Sequence, residues 1–129
     1  MNSMQRTVLI VEDAETCAST LEIALSALGV NVVTALSGEQ AWELLQDGDH
    51  PAAVVTDLQM RGMDGYELIE RIRTHSTLRT VPIMVITGTS DPEARDRVHQ
   101  LGANAFFAKP YSPVAVREQL EQWLDHATP

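Results

Sequence analysis

Five short apolar runs, rich in β-branched residues, recur along the chain, and a segment with helical periodicity follows each one. They are TVLIV (Thr7 to Val11), VNVVTA (Val30 to Ala35), AAVVT (Ala52 to Thr56), VPIMVIT (Val81 to Thr87) and AFFA (Ala105 to Ala108). Runs without polar alternation mark strands buried on both faces. Strand–helix alternation leaves few topologies, because parallel strands need crossover helices between them. The pattern predicts an α/β fold: a doubly wound, parallel five-stranded sheet with helices on both faces.

The helices carry their own start and stop signals. The first spans about Ala14 to Leu28, with Leu21, Ala24, Leu25 and Leu28 apolar and Gly29 as its stop. Cys17 shares that spacing and reads as core. Ser37-Gly38-Glu39-Gln40 forms a capping box for a helix carrying Ala41, Trp42, Leu44 and Leu45, and Asp64-Gly65-Tyr66-Glu67 opens one carrying Leu68, Ile69 and Ile72. Asp91 and Pro92 suit the N-cap and first position of a fourth helix, running through Val98 and Leu101. Ser112-Pro113 begins the last, whose stripe is Val116, Leu120, Trp123 and Leu124.

A chain of 129 residues has room for one core, so 1–129 reads as a single domain. Its 18 acidic and 9 basic residues give a formal net charge of -9, which argues against nucleic acid or an anionic membrane as a direct ligand. The opening MNSMQRTVLIVED has a short apolar run that ends in two acids, a strand and not a signal peptide or membrane anchor. Cys17 is the only cysteine, which rules out an internal disulfide and fits a reducing cytoplasm. His50, His75, His99 and His126 show no zinc-like spacing and are expected in solvent.

The third run ends on a carboxylate, Asp57, before a loop broken by Gly62 and Gly65. In open parallel sheets, ligands bind at the carboxyl ends of the strands. On that edge the first strand ends in Glu12 and Asp13, the fourth in Thr87 and the fifth in Lys109-Pro110. Gathered carboxylates repel unless a cation joins them, and hard oxygen ligands in an incomplete cage suit Mg²⁺. Singly, each residue has an ordinary explanation: acids at a helix N-terminus, a strand-end hydroxyl, a lysine in a solvated turn.

Taken together, VED (Val11 to Asp13), DLQMRGMDG (from Asp57), ITGTS (from Ile86) and GANAFFAKPY (from Gly102) resemble the receiver domains of bacterial two-component response regulators. The resemblance runs from Thr7 to about Leu124 and implies the flavodoxin-like (βα)5 fold of the chemotaxis regulators. It implies that Asp57 is the phosphoacceptor, and that Glu12, Asp13, Asp57 and the backbone carbonyl of Gln59 hold Mg²⁺. It further implies that Thr87 and Lys109 bind phosphoryl oxygens, that the Lys109-Pro110 bond is cis, and that Thr87 and Phe106 form a switch pair. Phe106 lacks the hydroxyl that tyrosine would bring there. Arg61 stands where the family commonly has proline, and Gly88 where it commonly has alanine. Gln59 and Thr89, at positions that tune hydrolysis in relatives, are not acidic.

The implied function is a cytoplasmic, phosphorylation-controlled signalling switch. Its phosphoryl donor would be a sensor histidine kinase or a histidine phosphotransfer protein. It would catalyse only its own phosphorylation and dephosphorylation, and act on a downstream protein or output domain through the fourth helix, fifth strand and fifth helix. Alternatives are a phosphoryl sink or shuttle, a phosphorylation-independent interaction module, and a Mg²⁺-dependent phosphohydrolase. Hydrolases that pair the nucleophile with an acid two residues on would need an acid where Gln59 stands. An FMN carrier would need its phosphate loop after the first strand, which here ends in acids.

Overall fold

The computed structural model describes residues 6–47 and 50–126. Five strands alternate with five helices: β1 (Thr7–Val11), α1 (Glu15–Ser26), β2 (Asn31–Ala35), α2 (Gly38–Asp47), β3 (Ala53–Thr56), α3 (Gly65–Thr74), β4 (Ile83–Thr87), α4 (Ala94–Leu101), β5 (Ala105–Ala108) and α5 (Pro113–His126). All strand pairs are parallel, in the order β2-β1-β3-β4-β5. This is the flavodoxin-like doubly wound order, in which the winding of the chain reverses between β1 and β3.

Alternation along each strand divides the core between two faces. Val8 and Ile10 of β1, Val55 of β3 and Met84 and Ile86 of β4 pack under Leu21 and Leu25 of α1 and Val116 and Leu120 of α5. Leu9, Val11, Val54, Ile83 and Val85 pack on the other side, under Ala41 and Leu45 of α2, Leu68, Ile69 and Ile72 of α3, and Val98 of α4. The five expected strands form, and so do the stripes except at Leu44 of α2, which is 40% exposed, and Leu28, which lies beyond the end of α1.

Local differences have local causes. α1 ends at Ser26 and Gly29 lies beyond it with φ +70°. The buried face of α1 is Ala18, Leu21 and Leu25, which leaves Cys17 half-buried at its edge instead of in the core. β4 begins after Pro82, whose missing N–H cannot join a ladder. α4 starts at Ala94, because Asp91 forms a turn ahead of it: its carboxylate accepts the Glu93 N–H at 3.0 Å. The Asp64 side chain accepts the Glu67 N–H at 2.9 Å, but the Glu67 carboxylate turns to Arg71 at 3.0 Å and leaves the capping box half made. His50 and His99 are exposed; His75 is half-buried, edge-on to Trp42 with ring centroids 5.7 Å apart. The His126 side chain lies outside the described residues.

At the amino ends of β4 and β5, Arg73 acts as a clasp. Its guanidinium donates to the carbonyls of Gly102 (2.9 Å), Arg79 (3.0 Å) and Val81 (2.7 Å) and to Asn104 Oδ1 (2.8 Å). Asn104 Oδ1 also accepts the Ile83 N–H at 2.8 Å, so one cluster ties α3, the start of β4 and the start of β5. Arg73→Met should lower unfolding free energy by roughly 1–3 kcal/mol, the usual cost of orphaned acceptors. Urea unfolding would show it as a lower midpoint at unchanged slope.

Candidate functional site

Backbone bonds one residue past the strand ends align the carboxyl edge. The Glu12 N–H donates to Ala35 O (3.0 Å), Asp57 N–H to Val11 O (3.1 Å) and Lys109 N–H to Thr87 O (2.8 Å). The ladders thus continue just far enough to bring residues 12, 57, 87 and 109 onto one rim.

The side chains then converge. Lys109 Nζ donates to Glu12 Oε1 at 2.9 Å and to Asp57 Oδ2 at 3.1 Å. Glu12 is 3% exposed and Asp57 8%, while the Lys109 side chain is 24% exposed. The remaining carboxylate oxygens are also used. Glu12 Oε2 accepts the Ala14 N–H at 3.1 Å, and Asp57 Oδ1 accepts the N–H groups of Leu58 (2.6 Å) and Gln59 (3.3 Å). Burial pushes the Lys109 ammonium down, but the bonds from Glu12 and Asp57 outweigh it and hold the group above its ordinary value of 10.5. The Lys109-Pro110 peptide bond is cis.

Thr87 is fully buried and its Oγ1 accepts the Thr89 N–H at 3.3 Å. Gly88 has room for a methyl group, whose nearest neighbours would be Lys109 Cδ and Cβ at 3.8 and 3.9 Å. Asp13 is exposed and its carboxylate has no hydrogen bond among the described residues; Gln59 is exposed on the loop beyond Asp57. Phe106 lies half-buried on β5, with the Arg95 guanidinium 4.7 Å from its ring centroid. Beside Lys109 a cleft of about 290 Å³ is lined by Cys17, Leu21, Pro110 and Tyr111. The structure thus brings Glu12, Asp57 and Lys109 into direct contact, places Thr87 at the next strand end, and leaves Asp13 on the rim.

The donor set fits a hard divalent cation. Three carboxylates and one ammonium leave two negative charges uncompensated, and every available donor is oxygen. Among the described residues no three acidic, histidine or cysteine side chains close on one point, so a metal here would also need a backbone carbonyl, water or a phosphoryl oxygen. Sequence reasoning missed Glu39, whose Oε2 accepts the Met63 N–H at 2.8 Å and so reaches the loop after Asp57 from another helix.

Lys109→Met should leave two buried carboxylates facing each other without a counter-charge and cost about 1–3 kcal/mol. Asp57→Asn in that background should recover part of the loss, a non-additivity that a double-mutant cycle on urea unfolding would read. Because the ammonium is held above 10.5, the contribution is complete below that pH and is lost as pH rises through the higher folded value. The difference between parent and Lys109→Met should therefore stay constant from neutral pH up to about 10.5 and shrink above it.

Comparison with known proteins agrees with this geometry. The family model for the response regulator receiver domain matches residues 8–121. Ycf27 of Porphyridium aerugineum is 33% identical over 117 residues, covering 91% of this chain and 47% of that protein. The chain spans about half the length of the ycf27 relatives it matches. A response regulator of Chloroflexus aurantiacus J-10-fl superposes with TM-score 0.87 at 35% identity, covering 94% of this chain and 98% of that one. The receiver domain of sensor histidine kinase PA1611 of Pseudomonas aeruginosa PAO1, solved with magnesium coordinated in its active-site cleft, gives TM-score 0.84 at 27% identity and covers 94% and 98%. With its sheet order, strand-end residues and motifs all in agreement, the chain belongs to the receiver domains of two-component response regulators.

Proposed function

We propose that Asp57 is the phosphoacceptor of a phosphorylation-controlled switch, and that 1–129 is one receiver unit. A single ammonium bonded to both Asp57 and Glu12 at the carboxyl edge carries this reading. In the transfer the Asp57 carboxylate attacks phosphorus, an acyl phosphate bond forms, and the bond from phosphorus to the donor's histidine nitrogen breaks. The transition state is loose, so catalysis rests on positioning and charge. Lys109 faces the Asp57 carboxylate and neutralises an incoming phosphoryl oxygen, and Thr87 donates its hydroxyl to another. Glu12, Asp13, Asp57 and the Gln59 carbonyl would hold Mg²⁺, which supplies charge neutralisation when bound.

Receiver domains are signalling modules and not classical enzymes, and catalysis here would be limited to the domain's own phosphorylation and dephosphorylation. The donor would be a histidine kinase or histidine phosphotransfer protein, and the effector a downstream protein or output domain. Among the described residues no helix is long and apolar enough to cross a membrane, and with the single cysteine this supports a cytoplasmic setting.

The register supports the proposed switch pair. Val85 pairs with Phe106 and Thr87 with Ala108, so Thr87 and Phe106 point to the same face, two residues apart on neighbouring strands. Phosphorylation would draw the Thr87 hydroxyl toward Asp57 and vacate space for Phe106. An inward move would separate Phe106 from Arg95, a contact worth roughly 0.5–1 kcal/mol at such a site. The readout is a change of shape around α4, β5 and α5.

With Mg²⁺ and acetyl phosphate, intact-mass spectrometry should show one phosphoryl adduct that Asp57→Asn or chelation abolishes. Labelling that survives Asp57→Asn would refute the assignment. Beryllofluoride, a phosphoryl mimic, should shift backbone NMR signals from Arg95 to His99 and in α5. Thr87→Ala should bind the mimic and lose most of that distant response. Shifts confined to the site in the parent protein would make it a phosphoryl sink or shuttle.

A further inference from the structure

The loop from Leu58 to Asp64 carries Gln59, and it is held by a residue that the roles above do not include. Its first part is tied by the Leu58 and Gln59 N–H bonds to Asp57 Oδ1. Its last part rests on α2. Glu39 Oε2 accepts the Met63 N–H at 2.8 Å, a charge-assisted bond to an amide in a residue only 7% exposed.

Two glycines make this approach possible. A Cβ on Gly38 would meet Met63 O at 2.4 Å, and a Cβ on Gly62 would meet Glu39 Oε2 at 2.4 Å. The first turn of α2 is therefore seated flush against the loop, with Gly62 held at φ +77° beneath the Glu39 carboxylate. The helix does not need Glu39 as a cap. Ser37 Oγ already accepts the Gln40 N–H at 3.0 Å, and Gln40 Oε1 accepts the Leu36 N–H at 2.7 Å. The Met63 amide also heads the causes that hold the Glu39 carboxyl below its usual range.

We infer that Glu39 is a positioning residue of the phosphorylation site: through the Met63 amide it sets the loop that presents the Gln59 carbonyl to Mg²⁺. The inference rests on the proposed function, and it adds α2 to the elements that determine metal affinity. Without the tether, the segment from Met60 to Met63 keeps no hydrogen bond to the rest of the described chain, so the carbonyl would sample more positions before a metal arrives.

The test compares the parent chain with Glu39→Ala and Glu39→Gln, the latter keeping an acceptor oxygen without the charge. Hydrogen exchange of the Met63 amide in metal-free protein reads the tether, and Mg²⁺ titration followed at the Gln59 amide reads its consequence. Glu39→Ala should speed Met63 exchange and weaken Mg²⁺ binding about tenfold, as loss of a ligand-orienting partner does. Glu39→Gln should restore most of both. Unchanged exchange in Glu39→Ala would overturn the tether. Faster exchange with unchanged Mg²⁺ affinity would overturn the positioning role and leave the proposed function standing. Glu39→Gln that restores slow Met63 exchange without restoring Mg²⁺ affinity would assign the effect to charge and overturn the inference. A parent chain that does not bind Mg²⁺ at all would overturn the proposed function, and this inference with it.

Discussion

One ammonium between two buried carboxylates organises the carboxyl edge. Glu12 and Asp57 sit at the ends of β1 and β3, the pair of strands at which the winding of the sheet reverses, and both are nearly excluded from water. Side by side they would repel, and burial would raise the cost of their charges. Lys109 resolves this by crossing from the end of β5, two strands away from β3. The contact therefore closes only when all the strands between are in register. The charge arrangement and the sheet topology depend on each other.

Much of this edge is legible in the amino-acid sequence. Strands buried on both faces are written as plain apolar runs, so five of them, and the polar residues that end them, stand out. A parallel sheet then requires those ends to meet. Less legible are features whose partners are backbone atoms. Arg73, in the last turn of α3, looks like an ordinary complement to the helix dipole, yet its acceptors are three carbonyls and an asparagine that no spacing reveals. Glu39, in the first turn of α2, looks like an ordinary acid beside a helix N-terminus, while Ser37 and Gln40 supply the cap and Glu39 is left to reach Met63.

Boundary differences have the same origin. Asp91 has the side chain of an N-cap for α4, but it bonds two residues ahead and forms a separate turn, which moves the helix start to Ala94. Cys17 shares a helical spacing with core residues, yet the burial stripe of α1 is centred one residue on, at Ala18. Glu12 and Asp13 are adjacent in sequence, but successive side chains of an extended segment point opposite ways. One is buried against Lys109 and the other faces solvent.

The Arg73 clasp has a mechanical consequence. It fixes the amino ends of β4 and β5, while Thr87 and Lys109 stand at their opposite ends. The two strands, of five and four residues, form a short cantilever rooted at Arg73. Deflection of a cantilever vanishes at its root and grows toward its tip. Under the proposed switch, backbone displacement begun at Thr87 would be smallest at the Arg73 end, and Phe106, one residue inside that end of β5, would respond by its side chain. A partner gripping that base would then meet the same backbone before and after phosphorylation, and would read the change only through side chains such as Phe106 and the Arg95 stacked on it.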